Sequence, residues 1–246
     1  MGTYRPRRQP EVGAVLTDGG ERRRDSLYGR RKGKPLSGRR ERLLADLLPR
    51  LAIDTTLPPP ADVAALFPHR PSRISLEIGF GGGEHLIAEA ERAPAAGFIG
   101  VEPFVNGMAK ILSEIDERKI GNIRLFARDA ADLLAWLPPN SLDRVDLLYP
   151  DPWPKKRHWK RRFVSPENLD RLARALKPGG AFRVASDIPG YIEWTLMLTT
   201  RDPRFAWTAE RAADWLQPFA DWPGTRYEAK ALAAGRTPTY LAFRRV

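Results

Sequence analysis

The stretch LLYPDPWPKKRHWKRRF, residues 147–163, sets one acid on a proline-stiffened turn and follows it with a dense positive run. Pro150, Pro152 and Pro154 fix the backbone on either side of Asp151 and forbid a helix there. Leu147, Leu148 and Tyr149 read as the end of a buried strand, so Asp151 falls where a parallel sheet opens into its ligand crevice. An acid held that rigidly suits orientation and stabilisation of a developing positive charge. Lys155, Lys156, Arg157, Lys160, Arg161 and Arg162 then crowd into eight residues with no acid among them, a pattern that grips phosphates. Trp153 and Trp159 lie in the same segment and are candidates to stack on bases.

A second constellation is EIGFGGGEHL, in which Gly79, Gly81, Gly82 and Gly83 carry the chain from a strand into a helix. Glycine permits the tight turn and lets the backbone approach a ligand closely. Glu102 closes the next strand, 19 residues beyond Gly83, where an acid accepts hydrogen bonds from ribose hydroxyls. Asp129 closes the third strand, where a polar group reaches an adenine edge. The glycine spacing is G-x-G-G-G rather than G-x-G-x-x-G, and Glu77 precedes it by two residues. A carboxylate there repels a pyrophosphate and attracts a cation. S-adenosylmethionine, with its sulfonium and ammonium, fits better than a nicotinamide dinucleotide.

These residues need a scaffold that brings strand ends together. RISLEIG, GFIGVE, NIRLFARD, LDRVDLLY and GGAFRVASD read as strands alternating with helices, which predicts βαβ units and a mostly parallel, doubly wound α/β sheet. Ser165 caps a helix with Pro166 in its first turn and Leu169, Leu172 and Leu176 inward. TPTYLAFRRV reads as a late, antiparallel edge strand. Ahead of these, SGRRERLLADLLPRL places Leu43, Leu44, Leu47 and Leu48 on one helical stripe that ends near Pro49. TLPPPADVAALF is a linker with at most a short helix.

The 246 residues carry a net charge of +11, and residues 1–50 hold 14 Lys or Arg against 6 Asp or Glu. We expect a basic, largely disordered N-terminal arm over residues 1–36 and one domain over residues 37–246. The absence of cysteine excludes thiolate metal sites and cysteine nucleophiles within the chain. His69, His85 and His158 are scattered without paired ligand spacing, so no metal is expected. His85 reads as a first-turn helix residue facing solvent or the glycine turn. No apolar run approaches a membrane span, and the start lacks a secretory signal, so a cytoplasmic protein is expected.

EIGFGGG with Glu102 and Asp129 resembles the class I, S-adenosylmethionine-dependent methyltransferases, and PDPWPKKRHWKRR resembles the signature of the tRNA (guanine-N7-)-methyltransferase family. The resemblance covers roughly residues 27–246 and implies the Rossmann-like, seven-stranded sheet of that class. It implies methylation of the guanosine at position 46 in the tRNA variable loop, with tRNA as partner and no protein partner required as far as the sequence shows. By the same resemblance Glu77, Gly79, Gly81, Glu102, Asp129 and Asp151 hold the methyl donor, and Asp151 is the catalytic residue. Lys155 and Asp187 match substrate-binding positions. Thr225, Arg226, Tyr227 and Glu228 match a T-K-F-E substrate motif with Arg226 for Lys and Tyr227 for Phe. Arg157, His158, Lys160, Arg161 and Arg162 are the expected RNA contacts. Thr225 and Glu228 also have capping-box spacing, and Asp187 can equally cap the helix near Pro189. The alternative from another class is a noncatalytic RNA-binding protein on a methyltransferase-like fold, whose mark would be loss of the strand-end acids.

Overall fold

Five apolar runs form the parallel part of one sheet, the third of them at its edge. β1 (Ile74–Ile78), β2 (Gly97–Val101), β3 (Ile123–Phe126), β4 (Leu142–Leu148) and β5 (Leu176–Ser186) pair in parallel. β6 (Phe205–Trp207) and β7 (Thr239–Arg245) complete it; β7 is antiparallel to both β5 and β6, but the expectation that it forms the edge is corrected, because the short β6 pairs on its outer side. The order is β3-β2-β1-β4-β5-β7-β6, the doubly wound, mostly parallel arrangement expected from the sequence. The computed structural model describes residues 33–246. The expectation of a basic arm therefore lies outside the described residues as far as residue 32. Gly33 and Lys34 are joined to Asn106: the Gly33 N–H donates to Asn106 Oδ1 at 2.6 Å, and Asn106 Nδ2 donates to the Lys34 carbonyl at 2.8 Å.

Helices cover both faces because both faces of the parallel strands are apolar. α1 (Gly38–Asp46) and α2 (Leu48–Leu51) lay the predicted leucine stripe against α3 (Glu84–Arg92) and α4 (Val105–Arg118), over Phe98, Ile123 and Leu125. The helix breaks at Leu47, ahead of Pro49. Pro49 itself sits in the first turn of α2, where its missing N–H leaves no bond unmade. On the other face α5 (Ala130–Trp136), α6 (Pro166–Ala175) and α7 (Pro189–Thr199) bury Leu133, Leu172 and Tyr191 against Leu76, Ile99 and Val184. Ser165 Oγ accepts the Asn168 N–H at 3.3 Å and caps α6 as expected. The linker contains one 3₁₀ turn, Val63–Leu66, capped by Asp62. Between β6 and β7 lie α8 (Ala213–Leu216) and α9 (Arg226–Ala233).

One polar patch interrupts the sheet's interior. Asp146 on β4 is 1% exposed and accepts from Arg144 at 2.8 Å and from Arg183 on β5 at 2.6 Å. Arg144 also reaches Glu89 on α3, which Arg92 binds in turn. The two arginines hold the Asp146 carboxyl below its ordinary range against the opposing effect of burial. Replacing Asp146 by Ala leaves two guanidinium groups facing each other in the sheet. We expect a loss of about 3–5 kcal/mol in chemical denaturation. A loss within experimental error of zero would show that the patch is open to solvent.

Candidate functional site

β1 and β4 are neighbours in the sheet, yet their crossovers leave toward opposite faces. That reversal opens a crevice at their C-terminal ends. A cleft of about 550 Å³ occupies it, with the glycine turn after β1 on one side and the Tyr149–Trp153 turn after β4 on the other. Gly79, Gly81 and Gly83 all have positive φ (72°, 58° and 81°), which bends the chain under the cleft floor before α3 begins. Helix α4 packs hard against this turn: a Cβ on Gly107 would meet the Gly81 carbonyl oxygen at 2.3 Å.

Glu102 fastens the turn. Its Oε2 accepts the Gly81 N–H at 2.7 Å and its Oε1 accepts the Phe104 N–H at 2.9 Å, so it braces the cleft as well as lining it. Burial pushes the Glu102 carboxyl above the ordinary carboxylate range. The two backbone donors pull it partly back, while Asp151 and Glu77 add to the rise. Glu77 does not line the cleft. It lies beneath the turn, 5% exposed, with its Oε2 accepting from His85 Nδ1 at 2.7 Å. His85 is itself 3% exposed, so of the two expectations for it, solvent is overturned, and the ring lies against the acid that precedes the glycine turn. Its imidazole packs inward against Trp222 because the first turn of α3 faces the buried carboxylate. Asp129 is the N-cap of α5, accepting the Ala131 N–H at 2.9 Å, and stands away from the cleft wall.

Across the cleft, Asp151 sits at the mouth, and burial against the walls raises its carboxyl above the usual aspartate range. Tyr149 and Trp153 are held at φ 49° and 41°, conformations that bulky residues adopt only under constraint. Arg162 supplies much of that constraint. It is 6% exposed, donates from Nε to the Pro152 carbonyl at 2.9 Å and from Nη1 to the Gly190 carbonyl at 3.1 Å. Its guanidinium lies near the rings of Trp159, Tyr191 and Trp194. The expectation that Arg162 contacts RNA is therefore corrected: the chain turns inward after the 3₁₀ turn Lys156–Arg161 and buries Arg162 with Val164. Trp159 likewise packs on Trp194. Arg161 lines the cleft with its guanidinium 4.8 Å from the Trp153 ring. Arg157 and Lys160 are exposed, as is Lys155, the residue ahead of the turn. His158 sets an edge against Trp153, and partial desolvation together with Arg161, Arg157, Lys155 and Lys160 lowers its pKa.

The four-residue motif at α9 divides by role. Thr225 and Glu228 form the capping box, with Glu228 N donating to Thr225 Oγ1 at 3.0 Å. Glu228 is buried, and its carboxylate also accepts from Tyr240 and, at 2.7 Å, from Trp222 Nε1. Arg226 and Tyr227 face the cleft. Tyr227 stacks on Tyr149, with centroids 6.5 Å apart and planes 21° off parallel. Asp187 lies outside the cleft wall in an ion pair with Arg236, and it does not cap α7. Sequence reasoning missed Tyr149; its one signal was its place at the strand end beside Pro150.

The sheet order, the glycine turn and the strand-end acids define the fold of class I methyltransferases. A family profile described as putative methyltransferase matches residues 71–241. The solved 16S rRNA methyltransferase KamB superposes with a TM-score of 0.54 at 18% identity, over 71% of this chain and 88% of that one. TrmN from Thermus thermophilus gives 0.50 at 16% identity, over 72% of this chain and 45% of that one. Among relatives by sequence, tRNA (guanine-N(7)-)-methyltransferase of Rhizobium meliloti (strain 1021) is 62% identical over 92% of this chain and 97% of its own. The protein of the same name from Rhodopseudomonas palustris (strain BisA53) is 58% identical over 94% and 92%. The chain belongs to the tRNA (guanine-N(7)-)-methyltransferase family.

Two kinds of arginine in one run should separate cleanly. Arg162→Ala should lower stability by about 2–4 kcal/mol, since the Pro152 and Gly190 carbonyls lose a charged donor and a buried side chain is removed from among three aromatic rings. Arg157→Ala and Lys160→Ala should change it by less than about 0.5 kcal/mol. Thermal denaturation of the three variants checks this. Equal midpoints would return Arg162 to the solvated surface.

Proposed function

We propose that this chain methylates N7 of the guanosine at position 46 in the tRNA variable loop, with S-adenosylmethionine as the methyl donor and Asp151 as the catalytic residue. Methyl transfer to guanine N7 in tRNA is the activity of the family to which the chain belongs. The observation that carries the finer reading is the cleft itself. One wall is a glycine turn braced by Glu102, and the other is Asp151 with the exposed cations of residues 155–161 beside it. No described helix is long and apolar enough to cross a membrane, and the described residues contain no group of three His, Asp or Glu placed to hold a metal ion.

The residues present fit the donor. Gly79 has open space where a Cβ would stand, and the anionic Glu102 and Asp151 suit the donor's sulfonium and ammonium groups. When bound, S-adenosylmethionine supplies a methyl group on a positively charged sulfur. Glu102 and the backbone of the glycine turn would hold it, with Glu77 beneath adding attraction to its positive charges. Guanine N7 has a lone pair and no proton to lose, so the chain needs no strong general base. It needs to place N7 in line and to stabilise a purine that becomes cationic. Asp151 does both when ionised. Tyr149, Tyr227 and Trp153 offer aromatic faces to the base, and Arg226 and Arg161 offer charge to its phosphates.

The decisive assay is incubation of unmodified tRNA with methyl-labelled S-adenosylmethionine, followed by mapping of the modified base. Label at N7 of guanosine 46 supports the reading, and label elsewhere or none overturns it. Asp151→Ala should lower turnover by about 10²–10³ with the fold intact. Because the Asp151 carboxyl is raised and its ionised form is required, wild-type turnover should fall as pH drops through a value above about 3.9. Arg157→Ala with Lys160→Ala should flatten the log–log salt dependence of tRNA binding by about one to two units. Unchanged salt dependence with normal turnover would remove this run from RNA binding.

A further inference from the structure

Beneath the glycine turn lies a buried pair that the methyl-transfer chemistry above does not use. The His85 Nδ1–H donates to Glu77 Oε2 at 2.7 Å. The other ring nitrogen, Nε2, is buried without a hydrogen-bond partner. The imidazole ring lies 4.9 Å from the Trp222 ring, centroid to centroid, and Trp222 donates to Glu228 at the base of α9. His85 is thus wedged between the acid that precedes the glycine turn and the indole that anchors the helix carrying Arg226 and Tyr227.

A histidine whose only duty is to fill space would need no carboxylate partner, and one that only satisfies Glu77 would stay neutral. The surrounding charges argue for more. Asp146 from β4 and Glu89 from α3 act on His85, Glu102 after β2 acts on Glu77, and Glu228 of α9 holds the indole that packs on His85. Asp146 is bound by Arg144 and Arg183, Glu89 by Arg144 and Arg92, and Asp221 by Arg92. These three acids and three arginines balance, and the carboxylates of Glu77, Glu102 and Glu228 stand outside the count. A proton on His85 therefore places a positive charge directly against Glu77. Burial disfavours the imidazolium, but Glu77 and, more weakly, Asp146 and Glu89 outweigh it and raise its pKa. Trp222 adds an aromatic ring against the charged imidazole.

We propose that His85 is a proton-linked positioning residue: it holds the Glu77 carboxylate beneath the glycine turn and gives up a proton when a cationic methyl donor binds above that turn. The inference rests on the reading of S-adenosylmethionine as the donor. The donor's positive charges and the imidazolium draw on the same carboxylate, and like charges lower an imidazole pKa. The proton that leaves is the one on Nε2, released to solvent, while Nδ1–H stays on Glu77. By reciprocity, deprotonation of His85 tightens donor binding. The thioether product lacks the sulfonium charge, so it displaces less of the proton than the donor does.

Calorimetry of S-adenosylmethionine binding to the full chain, in buffers of different ionisation enthalpy near neutral pH, reads the proton count. NMR titration of the wild-type imidazole, with and without donor or thioether product, reads its site. Proton release should occur in the wild type and be lost in His85→Gln. The His85 pKa should fall by about half to one unit with the donor, and by less with the product. Donor affinity should rise roughly threefold to tenfold as pH climbs through the titration. Donor binding with an unmoved imidazole, or proton release that persists in His85→Gln, would overturn the inference and leave His85 as a packing residue. Failure of the wild type to bind the donor at all would overturn the cofactor reading and this inference with it. Should His85→Gln not fold, the wild-type titration still decides.

Discussion

The chain leaves β4 through two bulky residues in the left-handed region, Tyr149 and Trp153, and the rest of the site depends on that turn being held. Conformations of this kind cost on the order of 1–3 kcal/mol each and persist only where surrounding contacts over-determine them. Three prolines narrow the alternatives before folding begins. Arg162 then reaches back across ten residues to the Pro152 carbonyl, and its guanidinium is packed among three aromatic rings. Without that grip, Asp151 would be one more surface acid on a mobile loop. With it, the carboxylate stands fixed opposite the glycine turn.

The same economy governs the charges. Carboxylates collect around the cleft, where burial raises both Glu102 and Asp151 and the charges of Asp151 and Glu77 add to the rise at Glu102. A cleft of that character favours a positively charged ligand by relieving the repulsion. The cations stand a few residues away on the outer turn, where solvent screens them until a polyanion arrives. Glu102 and Asp151 share the cleft wall with Lys110, Arg161 and Arg226, while Lys155, Lys156, Arg157 and Lys160 stand exposed on the outer turn.

Much of this was legible in the sequence, and what was not had a physical reason. The parallel strands declared themselves as apolar runs ended by glycine or an acid. β6 has only three residues, too few for any period to show. α5 went unread because Asp129 reads as a ligand acid in the sequence, and it caps that helix as well. The six cations after Asp151 are alike in type, and only the fold decides which one turns inward. The signal for Arg162 was its position just ahead of the apolar pair Phe163 and Val164, where the chain must re-enter the core. A lone histidine in a helix's first turn carries no periodicity at all, so the burial of His85 could be found only in three dimensions.

The motif at α9 shows why a conserved-looking string need not mean that every member touches substrate. Thr225 and Glu228 satisfy backbone donors at the helix start, and Glu228 further gathers Tyr240 and Trp222. Each of those contacts is internal. Their effect is to fix the direction in which Arg226 and Tyr227 leave the helix, and that direction is into the cleft, over Tyr149. The capping box and the cleft wall are therefore one device here: the cap residues spend their polarity on the backbone, and the two between them line the cleft. Trp222 extends the device, since the indole that steadies Glu228 also rests on His85 beneath the glycine turn. The His85–Trp222 contact thus ties the first turn of α3 to the start of α9, alongside the approach of Tyr227 to Gly81 and its stacking on Tyr149.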